Sequence, residues 1–118
     1  MEFSIKIEEY KWKDVGVINV LRLTGPLDQK SLPVLDNTVK TLFQKKMYKV
    51  VLDLAQVTSI SSSGIGLLIN LTQNEGNESL RLICVNQRFK ALFDLLSLGE
   101  RILIFPYESE AFGSWEKH

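Results

Sequence analysis

Apolar and polar residues alternate along Phe3-Ser4-Ile5-Lys6-Ile7-Glu8, and the alternation resumes from Val15 to Leu23 beyond a polar link holding Lys11, Lys13 and Asp14. A period of two sends successive side chains to opposite faces of a strand, so this stretch predicts two strands joined as an N-terminal pair. From Ser31 the period changes. Leu32, Leu35, Val39, Leu42 and Phe43 fall on one stripe at helical spacing, with Ser31 as the candidate N-cap. Pro33 then falls in the first turn, where a missing N–H is tolerated.

Val50-Val51-Leu52-Asp53-Leu54, Leu80 to Val85 and Ile102-Leu103-Ile104-Phe105 are short, nearly continuous apolar runs, as expected of central strands covered on both faces. Two more helical patterns lie between them. One runs from about Ser62 to Asn74; the other carries Phe89, Leu92, Phe93 and Leu96 and ends before Gly99. Phe112 and Trp115, spaced to share a helix face, predict a short last helix in spite of Gly113. The order strand, strand, helix, strand, helix, strand, helix, strand requires crossover connections, which are nearly always right-handed. The predicted class is α/β: a mixed, mostly parallel central sheet with an N-terminal strand pair and crossover helices.

A chain of 118 residues with 45% hydrophobic content suits one core, so residues 1–118 read as a single domain. Fourteen basic residues balance fourteen acidic ones, and long-range attraction to nucleic acid or to an anionic membrane is not expected. A partner must be recognised by local shape. The single cysteine, Cys84, lies inside an apolar run without companions for a disulfide or a metal, and reads as a buried structural thiol. Met1-Glu2-Phe3-Ser4-Ile5-Lys6 carries charges where a signal peptide needs an apolar block, and no apolar run approaches membrane-spanning length; the expected location is the cytoplasm.

The segment Val57-Thr58-Ser59-Ile60-Ser61-Ser62-Ser63-Gly64-Ile65-Gly66 reads as a strand, ending near Leu54, that passes through a hydroxyl-rich loop into a helix. The first N–H groups of a helix lack intrahelical acceptors and together act as a partial positive charge. A serine there is a cap, and a phosphate placed on it would be stabilised locally. Ser61, Ser62 and Ser63 are all candidates. At about 100° per residue from Ile65, Leu68, Ile69 and Thr72 fall within about 60° of it and form the expected core face. Leu67 and Leu71 sit at about 200° and 240°, beside Ser63, Gly66, Asn70 and Asn74. That strip suits either burial against a neighbouring helix or docking of another protein.

Enzymatic readings find little support. The only histidine is His118, and Ser63 is flanked at two residues by Ser61 and Ile65 where a nucleophile elbow needs glycines. Phosphate of a flavin or nucleotide would also suit the helix start, but no Walker lysine or dinucleotide glycine pattern accompanies it, and no cofactor or metal is expected.

Val51-Leu52-Asp53-Leu54 followed by Val57 to Leu68 resembles the signature of STAS domains, in particular the anti-sigma factor antagonists, and Leu23-Thr24-Gly25-Pro26-Leu27-Asp28 is similar to the family's Gly-x-Leu-Asp turn. The resemblance implies a STAS-like fold and a non-enzymatic function: docking on an anti-sigma factor that is also a serine kinase, release of a sigma factor, and loss of docking on phosphorylation, with a phosphatase as a further partner. It places the phosphorylated serine at Ser62, with Ser63 and Ser61 as competing acceptors, and partner contacts at Ser61, Ser62, Ser63, Gly64, Gly66, Leu67, Asn70 and Leu71. Ser61 stands where the family has aspartate. That departure leaves a second reading open, a non-phosphorylated STAS adaptor in a transporter or stress-signalling complex. Asp28 and Asp53 read as structural landmarks.

Overall fold

The computed structural model describes residues 2–75 and 80–116, and within the first span the side chains of residues 72–75 are not described. Expectations for Thr72, Asn74 and His118 lie outside the described residues.

Strands β1 (Ser4–Trp12) and β2 (Gly16–Leu27) form the predicted hairpin, antiparallel from Ser4 opposite Thr24 to Trp12 opposite Gly16. Helices α1 (Leu32–Gln44), α2 (Ser62–Glu75) and α3 (Gln87–Leu95) connect β2 to the parallel strands β3 (Val50–Ile60), β4 (Leu80–Ile83) and β5 (Leu103–Phe105). The sheet order is β1-β2-β3-β4-β5. Because it steps one strand at a time in one direction, crossovers of a single hand bring α1, α2 and α3 to the same face. There Leu21, Leu23, Leu52, Leu54, Leu80 and Leu82 of the sheet meet Leu35 and Val39 of α1, Leu68 of α2 and Phe93 of α3. Cys84 is 1% exposed in this core, and burial pushes its thiol up.

Helix α4 (Glu108–Gly113), the short last helix of the sequence reading, covers the opposite face. Its Ala111 and Phe112 pack on Ile18, Val20, Val51 and Ile83, with Tyr10, Trp12 and Trp115 around them. Six residues are too few to hold a helix alone. Two arginines fix it. Arg22 bonds Glu108 (2.6 Å) near its start, and Arg81 reaches Ser114 Oγ (2.8 Å) and lies 4.4 Å from the Trp115 ring just past its other end.

Arg22 also donates to Glu8 (2.7 Å), Asp53 (2.9 Å) and the Tyr10 hydroxyl (3.0 Å). Burial works against its charge, but the bonds to Glu8, Glu108 and Asp53 outweigh that and raise its pKa. The Arg22 hydrogen bond in turn holds Glu8 below its ordinary value, against the opposing effect of burial.

Three strands outrun the sequence reading, β1 past Glu8 to Trp12, β2 past Leu23 to Leu27 and β3 past Leu54 to Ile60, and a 3-10 turn, Leu98–Glu100, is not among the expected elements. β3 continues to Ile60 instead of stopping near Leu54, because β2 also continues, through Gly25 and Pro26, and offers it a partner: Gly25 faces Val57, Pro26 faces Ser59 and Leu27 faces Ile60. β3 gains one residue on β2 at each of two irregularities, and Asp53 Oδ1 accepts from Ala55 N (3.0 Å) at the first. Gly25 takes φ +97°, and a Cβ there would stand 2.8 Å from the Glu2 carbonyl oxygen, so only glycine lets the extension pass.

Candidate functional site

With β3 extended, the connection into α2 shrinks to Ser61. Its N–H donates to Leu27 O (3.0 Å), its carbonyl accepts from Ile65 N (3.0 Å), and its Oγ accepts from Gly64 N (3.1 Å). These are the bonds of an N-cap. Ser63 Oγ lies 2.9 Å from Ser61 Oγ, so that hydroxyl is engaged as well. Ser62, the first residue of α2, is exposed, and its hydroxyl has no hydrogen-bond partner among the described residues. No acidic side chain stands in the first turn to offset the positive end of the helix.

Two expected contact residues are not on the surface. Gly64 is buried under the end of β2, where an added Cβ would meet Leu27 O at 2.7 Å and Ile60 Cγ2 at 3.2 Å. Leu71 is 2% exposed and belongs to the helix-side core. The reason is geometric: α2 packs against α1 as well as the sheet, and a helix with two neighbours buries a wide arc. That arc runs from Leu71 and Gly64 through Leu68 to Ile65, and Leu67 at its margin is half-buried. Ser62, Ser63, Gly66 and Asn70 form the exposed face.

This face stands at the edge of the sheet where β2, β3 and β4 all end, and the starts of α1 and α3 flank it. On the α1 side, Asp28 Oδ1 accepts from Lys30 N (3.0 Å) and Ser31 N (3.3 Å), and Ser31 Oγ accepts from Asp28 N (2.8 Å). Asp28 thus closes the turn before α1. Ser31 occupies the cap position with its hydroxyl turned back to this turn and to Pro26 O (2.9 Å), not to the helix. On the α3 side, Asn86 caps the helix through Arg88 N (2.9 Å) and Phe89 N (3.1 Å). A cleft of about 270 Å³ opens there, lined by Thr58, Ser59, Ile60, Arg88, Phe89 and Leu92.

Residues 11–111 match the STAS domain family. The chain belongs to that family. A curated relative of this STAS domain, the anti-sigma-B factor antagonist of Staphylococcus epidermidis, is 28% identical over 82 residues, 68% of this chain and 76% of the relative. Among solved structures, an anti-sigma factor antagonist from Mycobacterium paratuberculosis superposes with a TM-score of 0.82 at 17% identity, covering 98% of this chain and 96% of the other. The phosphorylated form of the Bacillus cell fate determinant SpoIIAA gives 0.63 at 19% identity, over 98% and 100% of the two chains. These likenesses fix the fold as the α/β STAS fold.

Sequence reasoning about this STAS domain missed the Arg22 cluster and the cleft beside α3. Arg22 had a signal: an arginine within Val20-Leu21-Arg22-Leu23 and an aspartate within Leu52-Asp53-Leu54 are charges inside apolar strands, and such charges need partners. The cleft had none, because Ser59 and Arg88 meet only through the fold. Among the described residues no group of three or more histidine, cysteine, aspartate or glutamate side chains is placed to hold a metal, and no helix is long and apolar enough to cross a membrane.

Proposed function

We propose that this STAS domain is an anti-sigma factor antagonist with no catalytic step of its own: the outer face of α2 docks on an anti-sigma factor that is also a serine kinase, a sigma factor is released, and phosphorylation of Ser62 ends docking. The observation that carries the proposal is the division of labour among three adjacent serines. Ser61 is spent on capping α2 and Ser63 is bonded to Ser61, whereas Ser62 offers a free, exposed hydroxyl. Docking contacts are assigned to Ser62, Ser63, Gly66 and Asn70, with Leu67 at the margin and Ser61 acting through the cap.

A phosphate adds a charge of about −1.5 to −2. In the free domain it sits at a helix N-terminus, where it is stabilised; in a closely packed interface it must lose its water. The switch therefore acts on affinity and leaves the fold intact, and a phosphatase resets it. With Ser61 in place of aspartate, no carboxylate repels the incoming phosphate.

The test is intact-mass spectrometry after incubation with the serine-kinase anti-sigma factor of the same organism, paired with a binding titration. One added phosphate on the wild type, none on Ser62→Ala, and weakened binding by Ser62→Asp at unchanged melting temperature are expected. A phosphate retained on Ser62→Ala moves the acceptor. Undiminished affinity of Ser62→Asp refutes the switch. The substitution at Ser61 favours the adaptor reading, which gains if the wild type takes up no phosphate and co-purifies with a transporter ATPase or stress-signalling assembly.

A further inference from the structure

β1 is the outermost strand, and among the described residues it pairs only with β2, so its outer edge carries a row of backbone N–H and C=O groups without a strand partner. Exposed edges are normally kept apart by charge, and Lys6 and Lys11 stand on this one. Ile7 interrupts that protection: it is 51% exposed, on the strand that has no neighbour.

We propose that β1 is a self-association edge, pairing antiparallel with β1 of a second copy about a two-fold axis at Ile7. A two-fold axis normal to the sheet leaves each face on its own side, so opposed residues share a face. Centred on Ile7, the register sets Ile7 against Ile7, Lys6 against Glu8, Ile5 against Glu9 and Ser4 against Tyr10. Two lysine–glutamate pairs thus flank an apolar pair on the axis. The registers centred on Lys6, Glu8 and Glu9 each put a like-charged pair on the axis, which is unfavourable. Lys6 and Glu8, which would each meet their own copy in two of those registers, attract each other in the Ile7 register.

Edge pairing covers far less surface than an obligate interface, so the dimer is weak and concentration-dependent. It joins two five-stranded sheets into one. The axis reverses strand direction, so the two edges bearing Ser62 point away from each other and both remain free.

Sedimentation velocity from about 10 μM to about 1 mM reads the association. The expected result is a rise towards twice the monomer mass, abolished in Ile7→Lys, with the dissociation constant raised at least about tenfold in Lys6→Glu, where glutamate would face Glu8 twice. Cysteine substitution reads the register. Opposed Cβ atoms lie about 4.5–5.5 Å apart, so Ile7→Cys cross-links across the axis on mild oxidation. Ile5→Cys and Glu9→Cys do not, because each is about 13 Å from its own copy. Wild type, whose Cys84 is buried, is the control. A monomer throughout the concentration range, or equal cross-linking at residues 5, 7 and 9, overturns the proposal. Neither outcome bears on phosphorylation of Ser62.

Discussion

Replacing Leu71 with alanine tests whether α2 buries this side chain or offers it to a partner. Leu71 is 2% exposed in the core formed with α1 and the sheet. The change removes three carbon-bearing groups, and at about 0.8 kcal/mol each the transfer cost alone is about 2.4 kcal/mol. Incomplete collapse around the vacated space brings the total to about 3–5 kcal/mol. With a urea slope of about 1–3 kcal/mol/M, the unfolding midpoint falls by at least about 1 M while the slope stays constant. Leu67→Ala, at a half-buried position, loses about half as much. A loss below about 1 kcal/mol for Leu71→Ala would put this side chain at the surface and return it to the docking strip.

Three further outcomes are expected. The glycines of α2 respond with opposite sign: Gly64→Ala destabilises by about 1–3 kcal/mol, because its Cβ meets the Leu27 carbonyl, whereas Gly66→Ala, with open space around it, stabilises by about 0.5–1 kcal/mol; thermal melts of the two check this. Ser61→Ala loses about 0.5–2 kcal/mol as the cap on Gly64 N goes, while Ser62→Ala stays within about 0.5 kcal/mol of wild type by urea denaturation. Glu8 binds its proton less readily folded than unfolded, so its stabilising contribution is present above its ordinary value of 4.5 and disappears as pH falls through its lower folded value. Urea midpoints against pH should therefore fall less steeply below about pH 4.5 in Glu8→Gln than in wild type, and parallel curves would disprove the link.

Among the described residues, periodicity located each strand and α-helix, though not the 3-10 turn Leu98–Glu100, because each of those elements buries a face large enough to leave a pattern. The hairpin, the stripe of α1 and the three apolar runs are of this kind. What periodicity could not locate was the end of β3. Val57 to Ile60 is polar enough to read as loop, and it is a strand only because β2 extends alongside it past Gly25 and Pro26. For Leu71 the helical wheel left burial and docking both open, and α1, which widens the buried arc on that side, decides for burial against the docking assignment. The run of three serines marked the start of α2, and the family resemblance alone singled out Ser62. Which of the three is free was not legible, since that depends on the hydroxyl geometry around Gly64 and Leu27.

The two-arginine fastening of α4 has a bearing on how the molecule is made. Ile18, Val20, Val51 and Ile83 all leave the ribosome before Ala111 and Phe112, which shield them. A nascent chain that has assembled its strands therefore displays a sticky apolar floor until Glu108–Gly113 has emerged, the interval in which aggregation or chaperone capture competes with folding. Arg22 already holds Glu8 and Asp53 by then, and the arrival of the segment adds Glu108 to it and Ser114 to the buried Arg81 as the floor closes.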